Sequence, residues 1–180
     1  YVYVIGGVKP ENPVYRNYFF DILISTHLQR KEASIMDVIV FVQLSHASEY
    51  DKLPAEDLRV LEAMRIQVLY IPKSKQESFY RIMLDKFRML ELTQYQRVLF
   101  MDGDVMARGS LDYLFESSFK GVLKPNVVMA GSLEPANGGL FMLAPKVGSR
   151  ERVLEIVRDK EERGARLPYP HWDNKTGWGH

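Results

Sequence analysis

Apolar and polar positions alternate along the chain in a rhythm typical of a layered α/β domain. Short apolar runs predict strands at residues 1–5, 37–44 and 66–72. Between them, apolar residues at helical spacing predict a helix over residues 15–30 and a second one opened by Pro54, a favourable first helical residue. Strands that alternate with helices predict a mostly parallel sheet with helices on both faces.

A third helix is predicted over residues 79–92, because apolar residues recur there at helical spacing. It leads directly into a continuous apolar run at residues 98–101, which is typical of a strand that is covered on both faces. Ser110 can cap a short helix just after that strand. These elements extend the βαβ pattern towards the middle of the chain.

The second half of the chain predicts a different arrangement. Two strand-like runs, NVVMAG and GLFMLAP, are joined by a connection rich in turn-forming residues, which favours antiparallel or mixed pairing. Ser149 can cap a helix that runs to about Arg163, and residues 167–180 are expected to form a loop. With no repeat or domain boundary, residues 1–180 are expected to be a single α/β domain with a mixed C-terminal part.

Two aspartates, Asp102 and Asp104, follow the apolar strand and flank Gly103. Side chains two apart on an extended chain point the same way, so the carboxylates lie about 6–7 Å apart and repel by about 3 kcal/mol. A divalent cation bound between the two carboxylates would replace this repulsion with attraction, and carboxylate oxygens suit Mg²⁺ or Mn²⁺. Gly103 would leave room for a diphosphate. The alternative is an ordinary Asp-Gly turn that ends a strand.

Composition and charge narrow the possible functions. A hydrophobic content of 46% over 180 residues supports one sizeable core. A net charge of +1, with no long basic run, argues against a nucleic-acid partner. The absence of cysteine excludes disulfides, thiolate zinc sites and cysteine nucleophiles.

No targeting or membrane signal is found in the sequence. No apolar run has the length that spans a bilayer, and the first residues lack the pattern of a signal peptide, so no membrane contact is expected for this domain. The first residue is Tyr rather than Met, which suggests a piece of a longer chain. The compartment, cytoplasm or Golgi lumen, therefore stays open.

The segment LDKFRMLELTQYQRVLFMDGDVMARGSLDYLFE resembles the signature segment of glycosyltransferase family 8, the glycogenin-like and galactinol-synthase-like enzymes. It contains, in the family's order, Lys86, the LTQY turn at 92–95, the DGD motif at 102–104 and the LDYLF run at 111–115. The whole ordered set is far more specific than an isolated DxD motif. Fainter similarity covers most of the chain.

The resemblance implies an A-type glycosyltransferase fold, which is Rossmann-like, and a nucleotide-sugar donor that is usually a UDP-sugar. It also implies Mn²⁺ (or Mg²⁺) dependence, retention of anomeric configuration, and a carbohydrate or protein acceptor that the sequence does not identify. Asp102 and Asp104 would hold the metal that bridges the donor's phosphates. The metal would neutralise the charge that builds on the departing nucleoside diphosphate.

The resemblance assigns donor contacts to five further residues. Lys86 would contact a phosphate or the sugar, although a lysine in the apolar stripe of a helix usually extends its ammonium to the rim. Asn137 would bind the donor sugar, with Gly138 and Gly139 leaving room for it, although Asn-Gly-Gly also forms an ordinary hairpin turn. Tyr15 would lie near the base, although an aromatic residue that opens a helix is more often part of a core.

The chain also departs from the family pattern. Ile5, Gly6 and Gly7 replace the usual threonine-asparagine pair at the end of the first strand, so backbone contacts would have to recognise the base. The family's later Asp-Gln pair and histidine-x-x-glycine motif are not present, and His171 and His180 lack the required spacing. The resemblance therefore implies a catalytic domain cut before its acceptor side, with two of three protein metal ligands and poor turnover by itself.

Two other functions fit parts of the pattern. In phosphohydrolases of the haloacid dehalogenase class, an apolar strand precedes a similar motif, and Asp102 would then be the nucleophile and Asp104 the acid-base. That motif normally follows the first core strand, whereas α/β elements over residues 1–97 precede it here. The third possibility is a nucleotide-sugar-binding domain without catalytic activity.

Overall fold

The computed structural model of the protein describes residues 1–75, 79–119, 129–131 and 138–164. Within these ranges the strands are β1 (Val2–Val8), β2 (Val38–Leu44), β3 (Ile66–Ile71), β4 (Val98–Met101), β5 (Met129–Gly131) and β6 (Leu140–Leu143). The α-helices are α1 (Pro13–Lys31), α2 (Ala55–Ala63), α3 (Phe79–Asp85), α4 (Asp112–Phe119) and α5 (Ser149–Gly164), and a 3-10 helix covers Lys86–Glu91.

The strands form one sheet in the order β3-β2-β1-β4-β6-β5. β1, β2, β3 and β4 are parallel to one another, whereas β6 pairs antiparallel with both β4 and β5. The prediction of a mostly parallel sheet with a mixed C-terminal part is confirmed. The alternation of strands and helices requires crossovers in the first part, and the short connection after β5 permits a direct reversal.

Side chains on the two faces of the sheet belong to two separate hydrophobic clusters. Tyr3 and Ile5 of β1 pack in one cluster together with Phe19 and Ile22 of α1. Val2 and the neighbouring strand residues pack in the other cluster, which includes Met89, Leu90, Phe100 and Phe141. Every residue of β2 is buried, as expected for a continuous apolar strand in the interior of a parallel sheet.

Helix boundaries differ from the predicted ones where local contacts decide them. α1 begins at Pro13, because the side chain of Asn12 accepts a hydrogen bond from the Val14 amide at 2.9 Å. Pro54 precedes α2 as its cap instead of opening it. The helix predicted over residues 79–92 is divided into α3 and the 3-10 helix. The division matters for the site, because Lys86 is the first residue after the change.

The end of β1 is irregular and touches α3. The pairing register with β2 shifts between Ile5 and Val8, and Gly7 adopts a positive φ of 64°. A Cβ added at Gly6 would lie 2.3 Å from Cγ2 of Ile82 in α3, so only glycine permits this approach. The two glycines therefore allow α3 to cross close to the carboxyl end of β1.

Among the described residues, no helix combines the length and the apolar character that crossing a bilayer requires.

Candidate donor-binding site

The carboxyl ends of the four parallel strands meet at one edge of the sheet, where α/β folds generally bind ligands. β6 is antiparallel to β4 and therefore begins at this same edge, with Leu140 opposite Met101. The Asp102 amide donates to the Gly139 carbonyl at 2.8 Å. Two segments that the sequence analysis assigned to one donor site are thus joined by a backbone hydrogen bond.

The DGD motif forms a tight turn after β4. The Val105 amide donates to the Asp102 carbonyl at 3.0 Å, which closes the turn. Asp104 is exposed, whereas the Asp102 side chain is 28% exposed. A Cβ at Gly103 would lie 3.1 Å from Cδ1 of Tyr18, so the missing side chain already has a packing role against α1. The predicted room for a diphosphate at Gly103 stays a prediction.

Lys86 points inward to this turn. Lys86 is 8% exposed. Its Nζ lies 2.6 Å from Oδ1 of Asp102 and donates to the Gly138 carbonyl at 3.2 Å. The ammonium also lies 5.1 Å from the centre of the Phe100 ring. A lysine that merely extended to the rim would end in solvent. The described contacts instead join Lys86 to the DGD motif and to the chain entering β6.

Three charges therefore converge at the sheet edge. Burial raises the pKa of Asp102, the Lys86 ammonium opposes that shift, and repulsion from Asp104 adds to it. With Asp102 and Asp104 ionised and Lys86 protonated, the cluster carries a net charge of −1.

Residues that the sequence analysis did not single out fix the backbone at Lys86. The carboxylate of Asp85 accepts hydrogen bonds from Nε2 of Gln43 at 3.1 Å and from Nε of Arg88 at 2.8 Å. Gln43 is buried at the carboxyl end of β2, so these contacts tie the start of the 3-10 helix to the sheet edge. The available sequence signal was the one amide in the otherwise apolar run VIVFVQL.

Tyr15 lies in the first turn of α1 and belongs to the hydrophobic core. It is 1% exposed, and its hydroxyl donates to Oδ2 of Asp57 at 2.8 Å. Arg16 binds the other oxygen of the same carboxylate. The ring packs between α1 and the sheet, and a contact between Tyr15 and a base stays a prediction. The alternative, an aromatic core residue at the start of a helix, describes its position.

Two parts of the signature segment lie at the opposite edge and stabilise the fold. Tyr95 of the LTQY turn donates to Oδ2 of Asp37 at 2.8 Å. Asp112 of the LDYLF run accepts hydrogen bonds from the hydroxyls of Tyr1 and Ser34 at 2.5 and 2.8 Å. The segment thus combines site residues after β4 with residues that hold the surrounding elements together. Asn137, His171 and His180 lie outside the described residues.

The donor set at the turn fits a hard divalent cation. In the described ranges, no group of three or more His, Cys, Asp or Glu side chains could hold a metal. Asp102 and Asp104 supply two carboxylates at the end of β4. Mg²⁺ and Mn²⁺ commonly bind through one or two carboxylates and complete their shell with water and substrate phosphates, so two are sufficient.

Sequence relatives of the chain are glycosyltransferases. It is 27% identical over 135 residues to UDP-glucuronate:xylan alpha-glucuronosyltransferase 1 of Arabidopsis thaliana. It is 26% identical over 133 residues to a second protein of that plant, named "Putative UDP-glucuronate:xylan alpha-glucuronosyltransferase 3". These matches cover 73% and 72% of this chain, but it spans only about a fifth of either relative, at 19% and 20%. No family model matches the chain, so its membership of family 8 stays a prediction.

A solved structure has a similar arrangement of elements. The apo-form glycosyltransferase GlyE of Streptococcus pneumoniae TIGR4 superposes with a TM-score of 0.54 at 15% identity, over 92% of this chain and 39% of that one. The fold is that of an A-type glycosyltransferase. The sequence relatives and the fold together support a glycosyltransferase.

Proposed function

We propose that this chain is the donor-binding part of a metal-dependent glycosyltransferase that moves a hexose from a nucleotide-sugar, a UDP-sugar, to a carbohydrate or protein acceptor with retention. The observation that carries the proposal is the convergence of Lys86, Asp102 and the Gly138 carbonyl beside the exposed Asp104. The names of the two Arabidopsis relatives, which specify UDP-glucuronate as donor, support the choice of UDP.

Each residue of the cluster has a proposed task in binding the donor. Asp102 and Asp104 would hold Mn²⁺ or Mg²⁺, which supplies a Lewis acid that neutralises charge on a departing diphosphate. Lys86 has three N–H donors, so it can bind a phosphate or sugar oxygen while it still donates to the Gly138 carbonyl. Departure of the nucleoside diphosphate is the step that these positive charges favour.

The position of the motif argues against the phosphohydrolase alternative. That class carries its nucleophilic aspartate after the first core strand, whereas Asp102 follows β4, the fourth strand in the chain. Phosphatase activity towards a generic phosphate ester, lost in Asp102→Asn, would nevertheless favour that alternative over the proposed function.

Titration calorimetry with UDP, in the presence and absence of Mn²⁺, tests the proposal. We expect UDP to bind at least tenfold more tightly with Mn²⁺, and Asp102→Asn to abolish that gain because it removes a charged metal ligand. Glu62→Gln is the matched control, since it removes an exposed carboxylate just before β3, at the opposite sheet edge, and should leave the gain intact. Equal UDP affinity with and without metal, or an unaltered gain in Asp102→Asn, would overturn the proposal.

A further inference from the structure

One of the two carboxylates that should ligate a metal, that of Asp102, is already paired with a lysine. Nζ of Lys86 lies 2.6 Å from Oδ1 of Asp102, and both side chains are largely shielded from water, at 10% and 28% exposed. We propose that Lys86 acts as a resident cation on Asp102 and makes metal binding conditional on a diphosphate ligand. The inference rests on the proposed function and specifies how that site is regulated.

Charge explains why the metal alone should bind weakly. Asp102 and Asp104 together offer a charge of −2, but Lys86 reduces it to −1 and repels a second cation at the same carboxylate. Charge interactions weaken less with salt at a shielded site than at an exposed one. A divalent cation must therefore displace the ammonium or share the Asp102 carboxylate with it.

A diphosphate removes this conflict because it gives the ammonium another anion to bind. The four-carbon stem of lysine is flexible, so Nζ can move from Asp102 to a phosphate oxygen while the backbone stays in place. The backbone is held by Asp85, which binds both Gln43 and Arg88 next to the start of the 3-10 helix. Metal and diphosphate should consequently promote each other's binding, and this coupling must be reciprocal.

Measuring Mn²⁺ affinity without nucleotide separates the role of Lys86 from the direct contacts between metal and phosphate. We expect Lys86→Met to bind Mn²⁺ alone at least tenfold more tightly than the unmodified chain, as measured by electron paramagnetic resonance of free Mn²⁺. In the same variant, inorganic pyrophosphate should enhance Mn²⁺ affinity less than it does in the unmodified chain. Lys31→Met, which removes an exposed lysine at the end of α1, should change neither value.

A second variant keeps the test informative if Lys86→Met does not fold. Lys86→Gln keeps an amide donor for Asp102 and Gly138 but removes the charge, and it too should strengthen Mn²⁺ binding alone. If both variants bind Mn²⁺ within twofold of the unmodified chain while UDP with Mn²⁺ still binds, the inference is wrong and the proposed function stands. If the unmodified chain binds Mn²⁺ and UDP in no combination, both are wrong.

Discussion

Two charged side chains are buried in the described part of the chain, Asp57 and Lys86, and each has a partner of opposite charge. Asp57 binds Tyr15 and Arg16 in the first turn of α1, outside the cluster of Lys86, Asp102 and Asp104. Lys86 binds Asp102 within it. Burying a charge requires such a partner, because its loss of hydration is otherwise too costly. The pair of Asp57 and Arg16 therefore holds α2 against α1, whereas a ligand could compete for the pair of Lys86 and Asp102.

Replacing Asp57 tests the structural pair. Asp57→Ala leaves the buried hydroxyl of Tyr15 without its acceptor and Arg16 without its partner, so we expect the free energy of unfolding to fall by about 3 kcal/mol. Urea denaturation followed by circular dichroism measures the loss. Asp51→Ala removes a carboxylate that is 95% exposed and paired with Lys73, and should change stability little. Equal losses in both variants would contradict this assignment.

At the scale of elements, sequence spacing placed Lys86 in the apolar stripe of a helix but did not predict where that helix changes type. The change follows Asp85, whose partner Gln43 is 42 residues away in the chain. Tyr15 was ambiguous for the same reason, since its partner Asp57 is also 42 residues away. Patterns within one segment predict that segment, whereas contacts between segments decide which side chains face the site.

The contact between Gly6 and Ile82 couples β1 to α3, the helix that leads to Lys86. Gly6→Ala brings a methyl group into the space of Cγ2 of Ile82, so we expect a loss of stability of about 1–3 kcal/mol. In the Ile82→Ala background the same change should cost little, because the clashing methyl group is absent. A double-mutant cycle from urea denaturation measures the coupling. If the stability losses of the two changes are additive, the contact between Gly6 and Ile82 does not couple β1 to α3.

For the whole molecule, the order of strands decides what the DGD motif can contact. β4 lies between β1 and β6, so its end is flanked by the glycines near the carboxyl end of β1 and by the start of β6. The motif itself was predictable because it is contiguous and follows an apolar run. Its pairing with Lys86 was not, because that pairing needs the 3-10 helix to cross the sheet edge. The cluster on one face of this sheet also buries tyrosines, which gives the fold a dependence on alkaline pH.

Burial raises the pKa of Tyr3 to about 12, and burial together with Asp57 raises that of Tyr15. In an unfolded chain, tyrosine ionises near pH 10. The folded state therefore keeps its phenolic protons to higher pH than the unfolded state, so this contribution to stability is complete below pH 10. It is lost as pH rises from 10 to about 12, at up to about 1.4 kcal/mol per pH unit for each such tyrosine.

Urea denaturation at pH 8, 10, 11 and 11.5 measures this slope directly, and Tyr3→Phe should reduce it by about one tyrosine's contribution. The slope is the informative quantity, since Tyr3→Phe also removes hydrogen bonds to Ser25 and Gln29 and lowers stability at every pH. Tyr113→Phe provides the matched control, because Tyr113 is 58% exposed and should leave the slope unaltered. An equal slope in Tyr3→Phe and the unmodified chain would mean that the Tyr3 hydroxyl is no more protected from ionisation in the folded state than in the unfolded one.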